Sequence, residues 1–166
     1  MELSSRGVVQ QLRGLPKDAT RLVVSAGGND ALREAGVLDA RASSVWEALY
    51  KLAVVGDSFS SRYEAMLDEL TTTGLPTAVC PIYEPRFPDE ARRKLAATAL
   101  ALINDKITRH AFFRGLNLID LRLLCKEDAD FANAIEPSAY GGEKISKAIS
   151  KFIMGATGSS SVFLDR

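Results

Sequence analysis

The stretch that most limits what this chain can fold into is Leu22-Val23-Val24-Ser25-Ala26-Gly27-Gly28-Asn29-Asp30. A short apolar, β-branched run reads as a buried strand, and the residues after Asp30 are helix formers. Two glycines let the backbone turn sharply between them and approach a ligand closely. The strand therefore stops and leaves polar side chains at its carboxyl end, where open α/β sheets bind ligands. Asn29 presents an amide able to donate to a developing negative charge. Ordinary turn chemistry explains the same residues, with Asp30 as the N-cap of the next helix.

The rest of the pattern fixes the class. Val8, Val9, Leu12 and Leu15 suggest a short amphipathic helix ended by Gly14 and Pro16. Ala31 to Ala35 makes a helical turn that Gly36 breaks. Ser44-Val-Trp-Glu47 reads as a capping box. From there Val45, Leu49, Leu52, Gly56, Phe59, Tyr63, Met66 and Leu70 recur in alternating steps of four and three, one continuous helical face. Thr77 to Ile82 is a second buried strand and Tyr83 to Pro88 a proline-rich loop. Asp89 to Arg114 predicts a long helix with Leu95, Ala99, Leu102, Ile103, Ile107 and Ala111 on its apolar side, closed by Gly115. Leu118 to Leu121 is the third strand, Cys125 to Ala134 a polar loop and Lys144 to Met154 the last helix. Strands joined by helical crossovers make a parallel sheet in an α/β fold.

Composition removes several function classes. The chain has 166 residues, and Lys+Arg and Asp+Glu each count 21, so no net field would hold nucleic acid. The longest apolar stretch, Leu95 to Ile103, is too short to span a bilayer, and the first residues carry no basic-then-apolar signal pattern. Cys80 and Cys125 have neither disulfide-scaffold nor metal spacing and read as two buried, reduced thiols. The expectation is a cytoplasmic protein without metal or cofactor: one domain over 1–154 and a flexible tail over 155–166.

Gly27-Gly28-Asn29-Asp30 resembles the Gly-x-Asn-Asp block of the SGNH (GDSL-type) hydrolases, serine esterases and lipases. The similarity continues through Leu75 to Phe87 and through Leu118-Ile-Asp120-Leu-Arg122. It ends in Asn133-Ala-Ile-Glu136-Pro137-Ser138-Ala-Tyr-Gly141-Gly142. It implies a three-layer α/β/α flavodoxin-like fold, a small ester as substrate and Asn29 as an oxyanion donor, with Gly27 in the oxyanion loop and Asp30 beside it. The family's sheet is larger, and its first strand carries a Gly-Asp-Ser nucleophile. Only three strands are read here, so the chain resembles a member lacking its N-terminal part. Such a loss would expose the edge and apolar face of Leu22–Ser25 to self-association.

Two positions bear on activity. Leu52-Ala-Val-Val-Gly56-Asp57-Ser58-Phe59 spells the nucleophile block in the wrong place, after Gly-x-Asn-Asp and inside the helical face from Val45 to Leu70. It reads as helix, with a rearranged esterase using Ser58 as the alternative. Where the family has Asp-x-x-His-Pro, this chain has Asn133-Ala-Ile-Glu136-Pro137. Asn133 brings no negative charge, and a carboxylate at 136 is a weak base for a serine. The plainer reading is that this segment starts the last helix, with Ser138 near its N-cap. His110, the one histidine, falls off the apolar stripe of its helix and reads as a solvated surface residue. The chain is thus expected to be an esterase-like protein, weakly active or inactive. The alternative is a non-catalytic relic acting as a binding module.

Overall fold

The structure is a computed structural model, and it describes residues 5–155. Except for Gly155, the expected tail over 155–166 lies outside the described residues.

Three parallel strands form one sheet in the order β1 (Leu22–Ser25), β2 (Thr77–Cys80), β3 (Asn117–Leu118), with Leu22 opposite Thr77 and Ala78 opposite Asn117. On one face lie α1 (Ser5–Leu12), α3 (Val45–Thr71) and α4 (Glu90–Phe113). They close a core of Val8, Val24, Phe59, Tyr63, Leu67, Val79 and Ile107. On the other face Ala78, Cys80, Ile119 and Leu121 pack with Ile145, Ile149 and Phe152 of α6 (Ala139–Ile153). Both faces of the sheet are covered, and all four residues of β2 are buried. This is the expected three-layer α/β/α arrangement. No helix of the described residues is long and apolar enough to cross a membrane.

The Leu22 amide donates to the Pro76 carbonyl, so Leu22 and Val24 turn their backbone groups toward β2. Val23 and Ser25 turn theirs the other way. Among the described residues no strand pairs with that outer edge of β1.

Several expectations need correction. The helix after β1, α2, runs Gly28–Glu34, so Asp30 lies inside its first turn and is not its N-cap. Gly27 holds the cap position at φ 110°, a left-handed conformation that starts the helix early. Gly36 does not break the chain there; Ala35–Asp39 continues as a 3₁₀ turn. Ser44 caps α3 by accepting from the Glu47 amide, as a capping box requires, but the Glu47 carboxylate reaches back to Ser43 rather than Ser44. The α3 face is buried only from Gly56 onward. Val45 and Leu49 stand 76% and 59% exposed, because the first turns of α3 overhang the end of the sheet. The third strand stops at Leu118, and Leu121–Leu124 turns into the short helix α5 behind an Asp120 cap. The segment read as polar loop holds a 3₁₀ turn at Asp128–Asp130. The last helix starts five residues before Lys144, so Gly141 and Gly142 sit within it, and its N-cap is Ser138, as the reading of that segment as a helix start expected.

Candidate active site

At the carboxyl ends of the strands, three segments meet. The first is the turn from β1 into α2. Gly27 lies against Phe59 so closely that a Cβ there would stand 3.1 Å from its ring. That approach and the positive φ make glycine necessary at this one position. Asn29 follows, half-buried on the first turn of α2. The buried Asp30 carboxylate accepts from the Ser5 amide and hydroxyl, both at 2.8 Å, tying α1 to this turn. Asp30 is thus a positioning group whose partner lies 25 residues upstream, which sequence reasoning missed.

The second segment is the loop from β2 to α4. The side-chain amide of Asn104, buried on α4, accepts from the Ile82 amide and donates to the Ile82 carbonyl, both at 2.8 Å. It supplies both backbone partners that a further strand residue would have found in the sheet. An Asn on the inner face of a helix could have signalled this bond, because such a residue must find a partner.

The third segment carries the position of interest, Glu136, and it is held from several sides. Tyr83 donates to the Ile135 carbonyl at 2.8 Å, and the Arg86 amide donates to the Ala134 carbonyl at 2.7 Å. Arg86 also reaches the Lys126 carbonyl and lies over the Phe131 ring. Below the loop Asp130 is fully buried. Its carboxylate accepts from the Lys126 and Glu127 amides and pairs with Lys144 at 2.7 Å. The Lys144 ammonium first, and then the Glu127 amide, hold this carboxyl below its ordinary range. Gly141 fits against the Asp130 carbonyl so tightly that a Cβ there would overlap its oxygen.

Glu136 itself is exposed. Asn133 Oδ1 accepts from the Ile135 and Glu136 amides, so Asn133 Nδ2 is the atom that donates to Glu136 Oε2, at 2.7 Å. The side chains three apart do meet, as an Asp-x-x-His pair would, but the polarity differs. An amide hydrogen occupies one lone pair of a carboxylate, where a carboxylate would orient an imidazole.

Ser58 stands on the exposed face of α3, where its hydroxyl accepts from Arg62 at 2.6 Å. Residues 52–59 are unbroken helix, so the strand and sharp turn that would present Ser58 as a nucleophile do not form. His110 is not the solvated residue expected. Its Nε2 lies 2.7 Å from the Ser60 hydroxyl across the seam between α3 and α4. This contact resembles a serine–base pair, yet Arg114 stands 3.3 Å from Nδ1. A guanidinium only donates, so Nδ1 accepts and the ring proton sits on Nε2, donating to Ser60. The imidazole therefore has no lone pair free to take the Ser60 proton. Desolvation, with Arg114 and Lys106 adding to it, lowers the His110 pKa against the opposing pull of Glu64 and Asp68. Cys80 and Cys125 are buried free thiols. Burial pushes Cys80 up to about 12, so it carries no thiolate near neutral pH.

Between α2, α3 and α4 lies a cavity of about 340 Å³. Its wall includes Gly28, beside Asn29, and Ile135, beside Glu136. It continues over Leu38, Leu52, Leu95 and Ala99, so the two segments that resemble catalytic blocks open on one apolar space.

The same fold occurs in known lipolytic enzymes. The phospholipase A1 of Streptomyces albidoflavus superposes with a TM-score of 0.66 at 13% identity, covering 90% of this chain and 76% of that one. An extracellular lipase of Streptomyces rimosus gives 0.64 at 15% identity, with 93% and 77% covered. A member of the lipolytic G-D-S-L family from Veillonella parvula gives 0.63 at 13% identity, with 92% and 75% covered. No protein-family model matches the sequence, and neither does any curated protein. The chain has the fold of the GDSL-type lipases and esterases.

Proposed function

We propose that this chain forms the oxyanion and acyl-binding half of a GDSL-type ester hydrolase site. The observation that supports this most is the cavity that touches both Gly28 and Ile135 at the carboxyl end of the sheet. In this reading Asn29 donates to the ester oxygen as negative charge develops on it, with the backbone of the Gly27 turn beside it, and the acyl group lies in the cavity. Among the described residues one serine ends a strand, the exposed Ser25 of β1, and it precedes the Gly27 turn instead of standing in a Gly-Asp-Ser turn. Glu136, already bonded to the Asn133 amide, does not replace an oriented histidine. Catalysis by the oxyanion contact alone is worth about 10²–10³ in rate.

Hydrolysis of p-nitrophenyl octanoate by the purified chain tests this. The expected result is a slow turnover within about 10²–10³ of the buffer rate, lost in Asn29→Ala and unchanged in Ser58→Ala. Turnover at ordinary esterase rates, or a slow rate indifferent to Asn29→Ala, would overturn it. A second reading, a binding module that holds an ester or acid without cleaving it, is favoured by the same Asn133–Glu136 bond.

A further inference from the structure

Trp46, the only tryptophan of the chain, stands 72% exposed in the first turn of α3. Tyr50 stacks on it, ring centroids 5.3 Å apart, and is 57% exposed. Val45, Leu49 and Val54 lie open around this pair. Single exposed apolar residues are ordinary, but a cluster of large ones marks a contact surface. Ser44 caps the helix and Glu47 pairs with Lys51 at 2.8 Å, so this face is regular helix and not a frayed end.

The contacts between α3 and α4 show where the face points. Asp57 meets Lys106 at 3.2 Å, Ser60 meets His110 at 2.7 Å, and Asp68 meets Arg114, so the two helices run in the same direction along one seam. Helical steps of three and four carry the seam back from Asp57 to Ala53, Tyr50 and Trp46. The same steps carry it back from Lys106 to Leu102, Ala99 and Leu95. A closed seam would bury these side chains. Instead Trp46, Tyr50, Leu95 and Leu102 are all exposed, so the helices part and the two stripes become the walls of an apolar groove. Leu95 and Leu102 also line the cavity, which makes the groove its open side.

Area and charge together select the occupant. These side chains leave on the order of 700 Å² of surface open. The largest apolar patch of a typical monomer is about 300–600 Å², and each partner of a standard interface buries about 800 Å². The ionic groups at the rim are paired within the chain, Glu47 with Lys51, Glu90 with Lys94 and Asp57 with Lys106. A balanced rim meets its own copy across a two-fold axis without setting like charges together. An anionic lipid surface would find no basic excess here to hold. Tryptophan and tyrosine are also the anchors that dominate protein interfaces.

We infer that the groove between the first turns of α3 and α4 binds a second copy of this chain across a two-fold axis, with Trp46 and Tyr50 as anchors. The second copy covers Leu95 and Leu102, where the cavity wall is open. This surface belongs to the helix layer and is separate from the outer edge of β1. Sedimentation equilibrium and the fluorescence of the single tryptophan test it. The wild type is dimeric at micromolar concentration, and its emission moves to the red on dilution as Trp46 returns to water. Trp46→Glu and Leu95→Glu each raise the dimer dissociation constant about a hundredfold or more, because a two-fold contact loses the side chain twice. Leu123→Glu, at an exposed position of α5, leaves the constant unchanged. All three positions are exposed, and circular dichroism verifies that the variants keep the fold. A wild type monomeric at about 100 μM, with an emission that dilution does not change, overturns the inference. A dimer that survives both Trp46→Glu and Leu95→Glu also overturns it, because the contact then lies elsewhere, as on the edge of β1. A monomer whose emission moves to the blue on adding phosphatidylcholine vesicles overturns it too and assigns the face to lipid.

Discussion

Replacing Gly141 and Gly142, neighbours in the first turns of α6, by alanine should move stability in opposite directions. Each replacement gains about 1 kcal/mol of helix propensity. At Gly142 nothing lies within 4 Å of the new methyl, so the gain is kept, and a domain of this size should melt about 2–4 °C higher. At Gly141 the methyl would overlap the Asp130 carbonyl oxygen and stand 3.0 Å from its carbon. That carbonyl cannot withdraw: it accepts from the Ser138 amide at 2.8 Å, while the Asp130 side chain is held by Lys126, Glu127 and Lys144. Forced overpacking costs about 1–3 kcal/mol, and more where backbone must shift. The net loss should be about 1–2 kcal/mol or more once the propensity gain is set against it. Urea unfolding followed by circular dichroism reads both variants through the midpoint at constant slope. Gly141→Ala as stable as the wild type would show that the 126–137 loop yields, and that the position of Glu136 is not fixed as described.

Asn104→Leu keeps the volume and removes both bonds to Ile82. An amide and a carbonyl left unpaired at about 1–3 kcal/mol each predict a loss of about 2–4 kcal/mol in urea unfolding, and a loss below about 1 would contradict it. Asp130 gives a pH signature. Its folded carboxyl lies below the ordinary 3.8 because of Lys144 and then the Glu127 amide. Its contribution is therefore complete above that value and lost as pH falls through the lower, folded one. Melting scanned from about pH 6 down to about pH 2 should show Asp130→Asn less stable at the upper end, with the gap to the wild type narrowing below about pH 4. A gap constant with pH would mean that the charge of Asp130 is not what holds the loop.

Much of this fold is legible in the sequence. Leu22–Ser25 and Val45–Thr71 emerge from apolar patterning alone, because a covered strand and a long inward face leave strong periodic signals. The helix reading of Ser58 follows from the same face, against a motif that spells a nucleophile. Legibility fails where partners are distant in sequence. Asp30 looks like a cap until Ser5 takes its carboxylate, and His110 looks solvated until Ser60 and Arg114 close on it. Nothing in the sequence around Gly141 shows why glycine stands there, because the close approach of the Asp130 carbonyl is a tertiary fact. The cavity belongs to the same class. Leu95 and Leu102 fall on the apolar stripe of α4 by their spacing, yet they stand 55% and 43% exposed along the cavity wall.

The central claim, an esterase fold that holds the oxyanion and acyl parts of a site without a nucleophilic serine in place, is tested most directly by a fluorophosphonate probe. The folded 166-residue chain, verified by circular dichroism, is labelled beside Ser58→Ala and a heat-denatured control. The expected result is no labelling of the native protein above the denatured control. Strong labelling that disappears in Ser58→Ala would contradict the claim, because an activated serine would then exist where the structure shows an exposed helix.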